Sequence, residues 1–512
     1  MTDRGGRLAS IRRIDWRFLL PAAAFENVAV VGRPDEAVMA GLEQVAGRLV
    51  ATDEDGVSGA KPAPDLVVTI AATRSVLDEA LRLVPPGGWI YVGAGPRRAP
   101  GRAALRTVAA AARSAGFVDV RRSWHWPSEP AALEIVSLDD ARAVRVTLDR
   151  RRGGRAARIK ATIAGLALRL RLLEWIVPGW SVVGRRRAGE DAGSISNALD
   201  PVRANVADAG GAGAGVVLLT PRFLASRHVI GLVLRLAGDD LAAVVKLARL
   251  PDDEGGILRE AEALRRAGEL GVSGVPIVRT FRGAPDPVLV ESAIDGVVIT
   301  SRQVRASPVA AMTEVEAWTR ALTKQTSMGE IQLRTLWAPA LERIAEAIRP
   351  GTALGGEWIA RHADRTARLL GALDGVAVPT VLEHGDLAPP NLLRLRDGRL
   401  GVVDWEVADP VGLPLGDLLF FAAFVVDQGT ASHVPSGPAG LPPALGSLIE
   451  RQAAHLGIDP ALIPALRLAM WARWADRQLA RFIDPTIPLE DRLPARHVRS
   501  WAASLADMAI AG

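Results

Sequence analysis

The sequence contains no cysteine. Disulfide frameworks, thiolate zinc sites, iron–sulfur clusters and cysteine nucleophiles are therefore excluded, and a reducing compartment suits the chain. Lysine is almost absent: of 62 basic residues only Lys61, Lys160, Lys246 and Lys324 are lysines, and the rest are arginines. A lysine inside an apolar strand thus asks for a reason of its own. No uninterrupted run of 18 apolar residues occurs, and the best stretch, 161–184, is broken by Arg169, Arg171 and Glu174, so no spanning helix is expected. The apolar run before Pro21 is too short for a secretory signal. These absences make the cytoplasm the expected location.

With 512 residues, 49% of them hydrophobic and 23% charged, the chain can bury a large core in several domains, and global disorder is excluded. Its net charge of +5 is uneven. Residues 141–190 carry 13 Lys and Arg against Asp149, Glu174 and Glu190, a local +10, and the remainder sums to −5. A nucleic-acid binder is not built this way, so no specific nucleic-acid partner is expected. Within this segment Ile159, Ile163, Leu166, Leu170 and Leu173 follow helical spacing, flanked by Arg150–Arg152, Arg155, Arg158 and Arg185–Arg187. Two readings stand: peripheral contact of residues 141–190 with an anionic membrane surface, or a domain-packing helix with a solvated basic edge.

Residues 25–138 alternate between strand and helix. Strands are expected at Phe25–Val31, Leu66–Ile70, Trp89–Val92 and from Gly116–Val118 onward, with helices at Asp35–Arg48, Ser75–Leu83 and Leu105–Ala115. Short links between them predict a parallel sheet covered on both faces. The run DLVVTIAATRSVLDEALRLVPPGGWIYVGAG, followed by AGFVDVRRSWHWP, resembles the second half of class I methyltransferases over residues 25–140. That resemblance implies a Rossmann-like α/β domain. Where those enzymes place a glycine-rich turn, this chain reads Val30-Val31-Gly32-Arg33-Pro34. One glycine does not reproduce the close backbone approach, so the domain is read as degenerate and S-adenosylmethionine is not expected. Asp53 is either a ribose contact or a surface carboxylate. Asp208–Gly215 (DAGGAGAG) lacks a following Gly-Lys-Ser/Thr and is read as a linker, not a phosphate loop.

The chemistry concentrates in residues 381–420. Asp397-Gly398 is a hairpin signal between Asn391–Leu395 and Leu400–Asp404. A two-residue loop there pairs Arg396 with Arg399 and sets Asn391 directly opposite Asp404. Two oxygen donors at one hairpin mouth suit Mg²⁺, which takes few protein ligands. Five residues before Asn391 stands Asp386, in His384-Gly385-Asp386, placed to orient a hydroxyl and accept its proton. The pattern His-Gly-Asp-Leu-x-x-x-Asn, then Val-Val-Asp-Trp-Glu, resembles the aminoglycoside phosphotransferase and choline kinase family. The resemblance implies an α+β bilobal protein-kinase-like fold over about residues 205–512. It also implies Asp386 as base, Asn391 and Asp404 as magnesium ligands, His384 shaping the loop, and Asp417 in a structural role at the next helix.

Upstream, Val216–Thr220, Val229–Leu236 and Leu241–Leu247 read as strands, and Ile257–Leu270 as a helix. Lys246, among apolar strand residues, suits a point charge on nucleotide phosphates. On a helical wheel Glu260 lies near the apolar face and Glu262 points away, making Glu260 the expected partner of Lys246. The loop Pro221–His228 has no glycine; Ser226 is its candidate phosphate contact. Glu291, after Val288–Val290, marks the hinge, where backbone groups of Glu291–Ala293 would meet the base. The expected domains are 1–140, 141–207, 208–295 and 296–512. The expected activity is ATP- or GTP-dependent transfer of the γ-phosphoryl to a hydroxyl of a sugar, glycan precursor or similar small molecule. Trp318, Trp337, Trp358, Trp471 and Trp474, with Glu314, Glu316 and Asp476, are candidate pocket residues. Two alternatives are an inactive scaffold of a glycan-assembly system and a bifunctional methyltransferase–kinase.

Overall fold

The computed structural model describes residues 4–52, 62–95, 104–150, 162, 177–188, 215–222, 226–235, 240–251, 253–283, 287–348, 357–428, 441–481, 493 and 495–511. It divides into one unit of residues 6–254 and 279–293, and another of residues 1–5, 255–278 and 294–512. Asp53, the Asp208–Ala214 part of the linker and the body of the Ile159–Trp175 helix lie outside the described residues.

The first unit is organised by strands β1 (Phe25–Val31), β2 (Ala46–Thr52), β3 (Leu66–Ile70) and β4 (Trp89–Gly93), which pair in parallel in the order β2-β1-β3-β4. Strands buried on both faces need apolar residues at successive positions. In β1, Val28 and Val30 enter one core while Ala29 and Val31 enter the other. The helix expected over Asp35–Arg48 is shorter, Glu36–Leu42, and β2 begins at Ala46. Gln44 turns the chain between them, its amide donating to Ala40 O, Arg7 O and Ser10 Oγ. Phe25 N then bonds Val45 O and starts the parallel ladder.

Beyond β4 the pairing becomes antiparallel through β7 (Trp180–Arg186), β5 (Phe117–Trp126) and β6 (Glu134–Ser137). Arg186 within β7 donates to Leu81 O, Arg82 O and Val84 O at the end of helix Arg74–Leu83. Arg186 thus satisfies carbonyls within the fold.

The boundary expected near residue 208 does not divide the sheet. β6 pairs with β8 (Val216–Leu219), followed in order by β9 (His228–Leu234), β10 (Leu241–Ala248), β12 (Val288–Ser292) and β11 (Val278–Arg282). Among the described residues this makes one twelve-stranded sheet. Its physical basis is that the two cores continue: Val216 and Leu218 join the core of Val28 and Val30, and Val217 joins that of Ala29 and Val31.

A buried ion pair ties the start of this unit to β10. Arg249 is fully buried and Asp15 is 2% exposed. Arg249 Nε donates to Asp15 Oδ1 at 3.0 Å, and its Nη atoms donate to Asp15 Oδ2, Ser226 O and Pro221 O. Arg12 adds a donor to Ser226 O at 3.0 Å. Removing one member strands a buried charge, which costs about 3–5 kcal/mol. Asp15→Asn should therefore lower the unfolding free energy of this unit by about that amount in urea titration, while Asp15→Leu combined with Arg249→Met recovers part of the loss.

Candidate active site

In the second unit, strand Ala377–Glu383 runs into the loop at His384, a 3-10 turn at Pro389–Asn391 and a hairpin of Leu392–Leu395 and Leu400–Val402. The hairpin register differs from the expected one by a residue. Leu392 faces Val402, Leu393 faces Gly401 and Arg394 faces Leu400. Leu395 N bonds Arg399 O, so the loop has three residues, Arg396, Asp397 and Gly398. Gly398 supplies the left-handed position, φ +83°, that closes such a loop. Asn391 is thus opposite Val403, whose N–H donates to Asn391 O at 3.0 Å. Asp404 follows in a left-handed conformation, φ +68°.

The loop is held by its own polar atoms. Asn391 Nδ2 donates to Asp386 O at 2.9 Å. His384 is fully buried, with its ring edge against Trp405 at 4.9 Å. Its Nε2 lies 3.0 Å from Val403 O, and Asp386 N donates to its Nδ1. Only the Nε2–H tautomer satisfies both partners. His384 N and Gly385 N each donate to the Asp417 carboxylate at 2.8 Å. Asp417 opens helix Gly416–Gln428, where a carboxylate also meets the positive end of the helix dipole. Burial, then the neighbouring Glu383, pushes the Asp417 carboxyl up.

Glu383 anchors the other side. It is 2% exposed, and its carboxylate accepts from Leu413 N, from Arg473 at 2.7 Å and from Arg477 at 3.0 Å. Burial alone would raise its pKa, but Arg473, Arg477 and the Leu413 N–H together bring it down to about 2. Asp386 shows the opposite balance. Burial pushes its carboxyl up against the lowering influence of Arg481, and nearby Asp404 and Glu406 add to the rise. Arg481 Nη1 lies 3.6 Å from Asp386 Oδ2.

Asp386, Asn391 and Asp404 are therefore brought to one loop and hairpin mouth. Glu260 joins them: it is fully buried on helix Gly255–Glu269, Glu262 is exposed, and Glu260 Oε1 accepts from Trp405 N at 2.8 Å. Lys246 and Glu291 belong to the first unit, on β10 and β12, and are 4% and 3% exposed. Lys246 faces Leu289 and Val244 faces Glu291, so Lys246 and Glu291 share a sheet face. Glu291 still belongs to the strand, which runs to Ser292. Ser226 is not offered as a phosphate contact: it is buried, and its hydroxyl is bonded to Arg249 in the ion-pair cluster.

Asn391 and Asp404 fit a hard cation in donor type, since the Asn391 amide nitrogen is spent on Asp386 O and leaves its oxygen as the acceptor. Among the described residues no cluster of three or more His, Asp or Glu side chains is gathered for a metal. The candidate pocket residues are placed otherwise than expected. Trp318, Trp337, Trp471 and Trp474 are core, at most 8% exposed. Glu316 is paired with Arg451, Glu314 with Arg394, and Asp476 with Arg343. Missing from the expectations were Glu383, Arg473, Arg477 and Arg481. Their signal, arginines four residues apart on one helix, is hard to separate in so arginine-rich a chain.

The Glu383 cluster makes a pH-dependent contribution with a definite sign. Its folded pKa of about 2 lies below the ordinary 4.5, so its stabilisation is present above pH 4.5 and is lost as pH falls towards 2. Glu383→Gln, which leaves Arg473 and Arg477 facing a neutral group, should destabilise by about 3–5 kcal/mol at pH 7. Chemical denaturation at a series of pH values checks this: the gap between variant and parent should narrow between pH 4.5 and 2.

No curated protein matches the sequence. Among solved structures, the chain is similar to a thermostable mutant of an aminoglycoside phosphotransferase in complex with ADP and hygromycin B, at 15% identity and TM-score 0.40, over 60% of this chain and 99% of that one. It is similar to a choline kinase from Streptococcus pneumoniae at 12% identity and TM-score 0.39, over 60% and 98%. An ethanolamine kinase from Plasmodium vivax gives 12% and 0.38, over 60% and 84%. Likenesses of this degree carry no weight for substrate. No helix among the described residues is long and apolar enough to cross a membrane. Residues 230–434 match the model of the phosphotransferase enzyme family. The chain therefore carries, over those residues, a domain that matches the phosphotransferase enzyme family.

Proposed function

We propose that the protein transfers the γ-phosphoryl group of ATP or GTP to a hydroxyl of a small molecule, in the class of a sugar, glycan precursor or polyol. The observation that carries this reading is the meeting of Asp386, Asn391 and Asp404 at one loop and hairpin mouth, inside the region that matches the phosphotransferase family. Asp386 is the base. Its carboxylate accepts a hydrogen bond from the acceptor hydroxyl, aligns the oxygen on the phosphorus and takes the proton as the bond forms. Asn391 and Asp404 are the residues that would hold Mg²⁺. When bound, the ion would neutralise charge developing on the transferring group. Lys246 is assigned to the nucleotide phosphates, Glu260 to fixing the segment at Trp405 and the expected pairing with Lys246, and the backbone at Glu291–Ala293 to the base.

Support for a neutral acceptor comes from the pairing of Glu314, Glu316 and Asp476 with arginines, which leaves these acids poorly suited to a polycation. The N-terminal half is read as methyltransferase-like in fold without its cofactor. The turn after β1 has the single glycine Gly32, where an added Cβ would meet Val76 Cγ1 at 3.3 Å.

Thermal melting tests the nucleotide site. ATP or GTP with Mg²⁺ at a hundredfold excess over the dissociation constant should stabilise the parent by about 2.7 kcal/mol. The shift should require Mg²⁺ and disappear in Asp404→Ala. Asp386→Asn should keep the shift and lose transfer to a screened panel of hydroxylated acceptors by a factor of about a thousand or more. A parent that melts identically with and without either nucleotide would overturn the reading.

A further inference from the structure

Helix Ile463–Arg481 carries arginines at 473, 477 and 481, spaced so that all three lie along one face. Each meets the catalytic segment. Arg473 reaches Glu383 and, at 2.8 Å, Asp409. Arg477 reaches Glu383 and donates to Gly385 O at 3.2 Å. The helix is pressed close: a Cβ on Gly385 would lie 2.6 Å from Arg477 Nη1, and the residue's φ of +82° already requires glycine. These two arginines bond backbone carbonyls and the carboxylates of Glu383 and Asp409.

Arg481 differs. Its guanidinium is fixed by a hydrogen bond from Nη2 to Glu406 Oε1, two residues beyond Asp404. From there Nη1 stands 3.6 Å from Asp386 Oδ2, within ion-pair range but beyond hydrogen-bond length. Among the described residues no donor hydrogen-bonds the Asp386 carboxylate; its neighbours Asp404 and Glu406 bear its own sign. The arrangement attracts the carboxylate towards one side by charge and leaves its oxygens open to an incoming hydroxyl. A bidentate arginine would orient it better and would also occupy the lone pairs that the acceptor needs.

We propose that Arg481, pinned by Glu406, is the positioning residue for Asp386, holding the base by charge from the last turn of helix Ile463–Arg481 without consuming its hydrogen-bonding capacity. This rests on the reading of Asp386 as the base. Arg481 touches neither nucleotide nor acceptor in this role, so its loss acts on turnover and not on nucleotide affinity.

The test uses the full chain with Mg²⁺ and ATP, water serving as acceptor, and reads ADP release together with the thermal shift given by ADP and Mg²⁺. Arg481→Gln should lower kcat at least tenfold, with the KM for ATP and the ADP shift unchanged within twofold. Arg481→Lys, which keeps the charge, should recover most of the loss. Glu406→Gln leaves Arg481 present but unpinned and should lower kcat about fivefold, again without changing the KM; it carries the test should Arg481→Gln not fold. Unchanged kcat in a folded Arg481→Gln, or in Glu406→Gln, overturns the proposal. So does Arg481→Lys performing no better than Arg481→Gln, which reduces the residue to a packing role. A parent that releases no ADP with water or with the panel of hydroxylated acceptors overturns the phosphotransferase mechanism assigned to Asp386, and this inference with it, whereas an active parent with indifferent variants overturns this inference alone.

Discussion

A carboxylate at the end of a buried strand must be neutralised by protonation or by partners, and Glu383 has partners on three sides. Arg473 and Arg477 come from helix Ile463–Arg481, and Leu413 N comes from the segment after strand Asp409–Gly412. The neighbours leave no slack. A Cβ on Gly412 would lie 2.1 Å from Glu383 Cβ, and one on Gly416 would lie 2.9 Å from Glu383 Oε1. Two glycines thus let the chain close over one charged group. Once it has closed, helix Gly416–Gln428 begins where Asp417 can receive the N–H groups of His384 and Gly385. The backbone that presents Asp386 is therefore set by a buried ion-pair cluster whose members include neither the proposed base nor the proposed metal ligands. Such clusters are costly to desolvate, and their use here fits a demand for a fixed loop geometry more than one for stability.

The first unit solves a different problem. Strands β8 to β12, expected to form a separate lobe, are the far end of a sheet that starts at β2. A sheet edge left open is a liability for aggregation. Pairing β6 with β8 removes one such edge and lets two cores run through the unit. Arg249 and Asp15 then join the chain's first segment to the loop at Ser226. Among the described residues of the glycine-free segment 221–228, Ser226 O is held by Arg12 and Arg249, and Pro221 O by Arg249.

Much of this was legible where the signal is local. Phe25–Val31 and Leu66–Ile70 form the strands their runs of Val, Ile and Leu predict, with the same ends. Glu260 is buried and Glu262 exposed, as the helical wheel requires. Failures came where one position depends on a distant one. The Asp-Gly signal at 397–398 foretold the hairpin but not that Gly398 closes a three-residue loop, which shifts every facing pair by one. Helix Glu36–Leu42 ends early because Gln44 finds acceptors on another segment. The β6–β8 pairing crosses more than seventy residues of chain, and nothing in either strand's sequence names its partner. Trp318, Trp337, Trp471 and Trp474, read as pocket residues, proved to be core, and Trp358 is partly buried against it, since a large apolar side chain on a helix has the same spacing in either role.

The arginine bias of the chain bears on how its sites are made. Arg249 donates to Asp15, Ser226 and Pro221 at once, and Arg473 bridges Glu383 and Asp409. Each exploits a planar fork of five donors that lysine lacks. Composition alone thus supplied groups able to tie several segments together, at positions that resemble an ordinary solvated face. Against this background Lys246 is informative because a guanidinium in β10 would need several acceptors around it. An ammonium there needs fewer fixed directions, and a compact charge suits a phosphate group. Arg481 sits between the two uses. One edge of its fork is bonded to Glu406, while the other acts on Asp386 as a charge at 3.6 Å. A lysine at 481 would supply the same charge, with fewer donors to share between Glu406 and Asp386. The bond that fixes the guanidinium and the gap that spares the carboxylate are thus two consequences of one side-chain geometry.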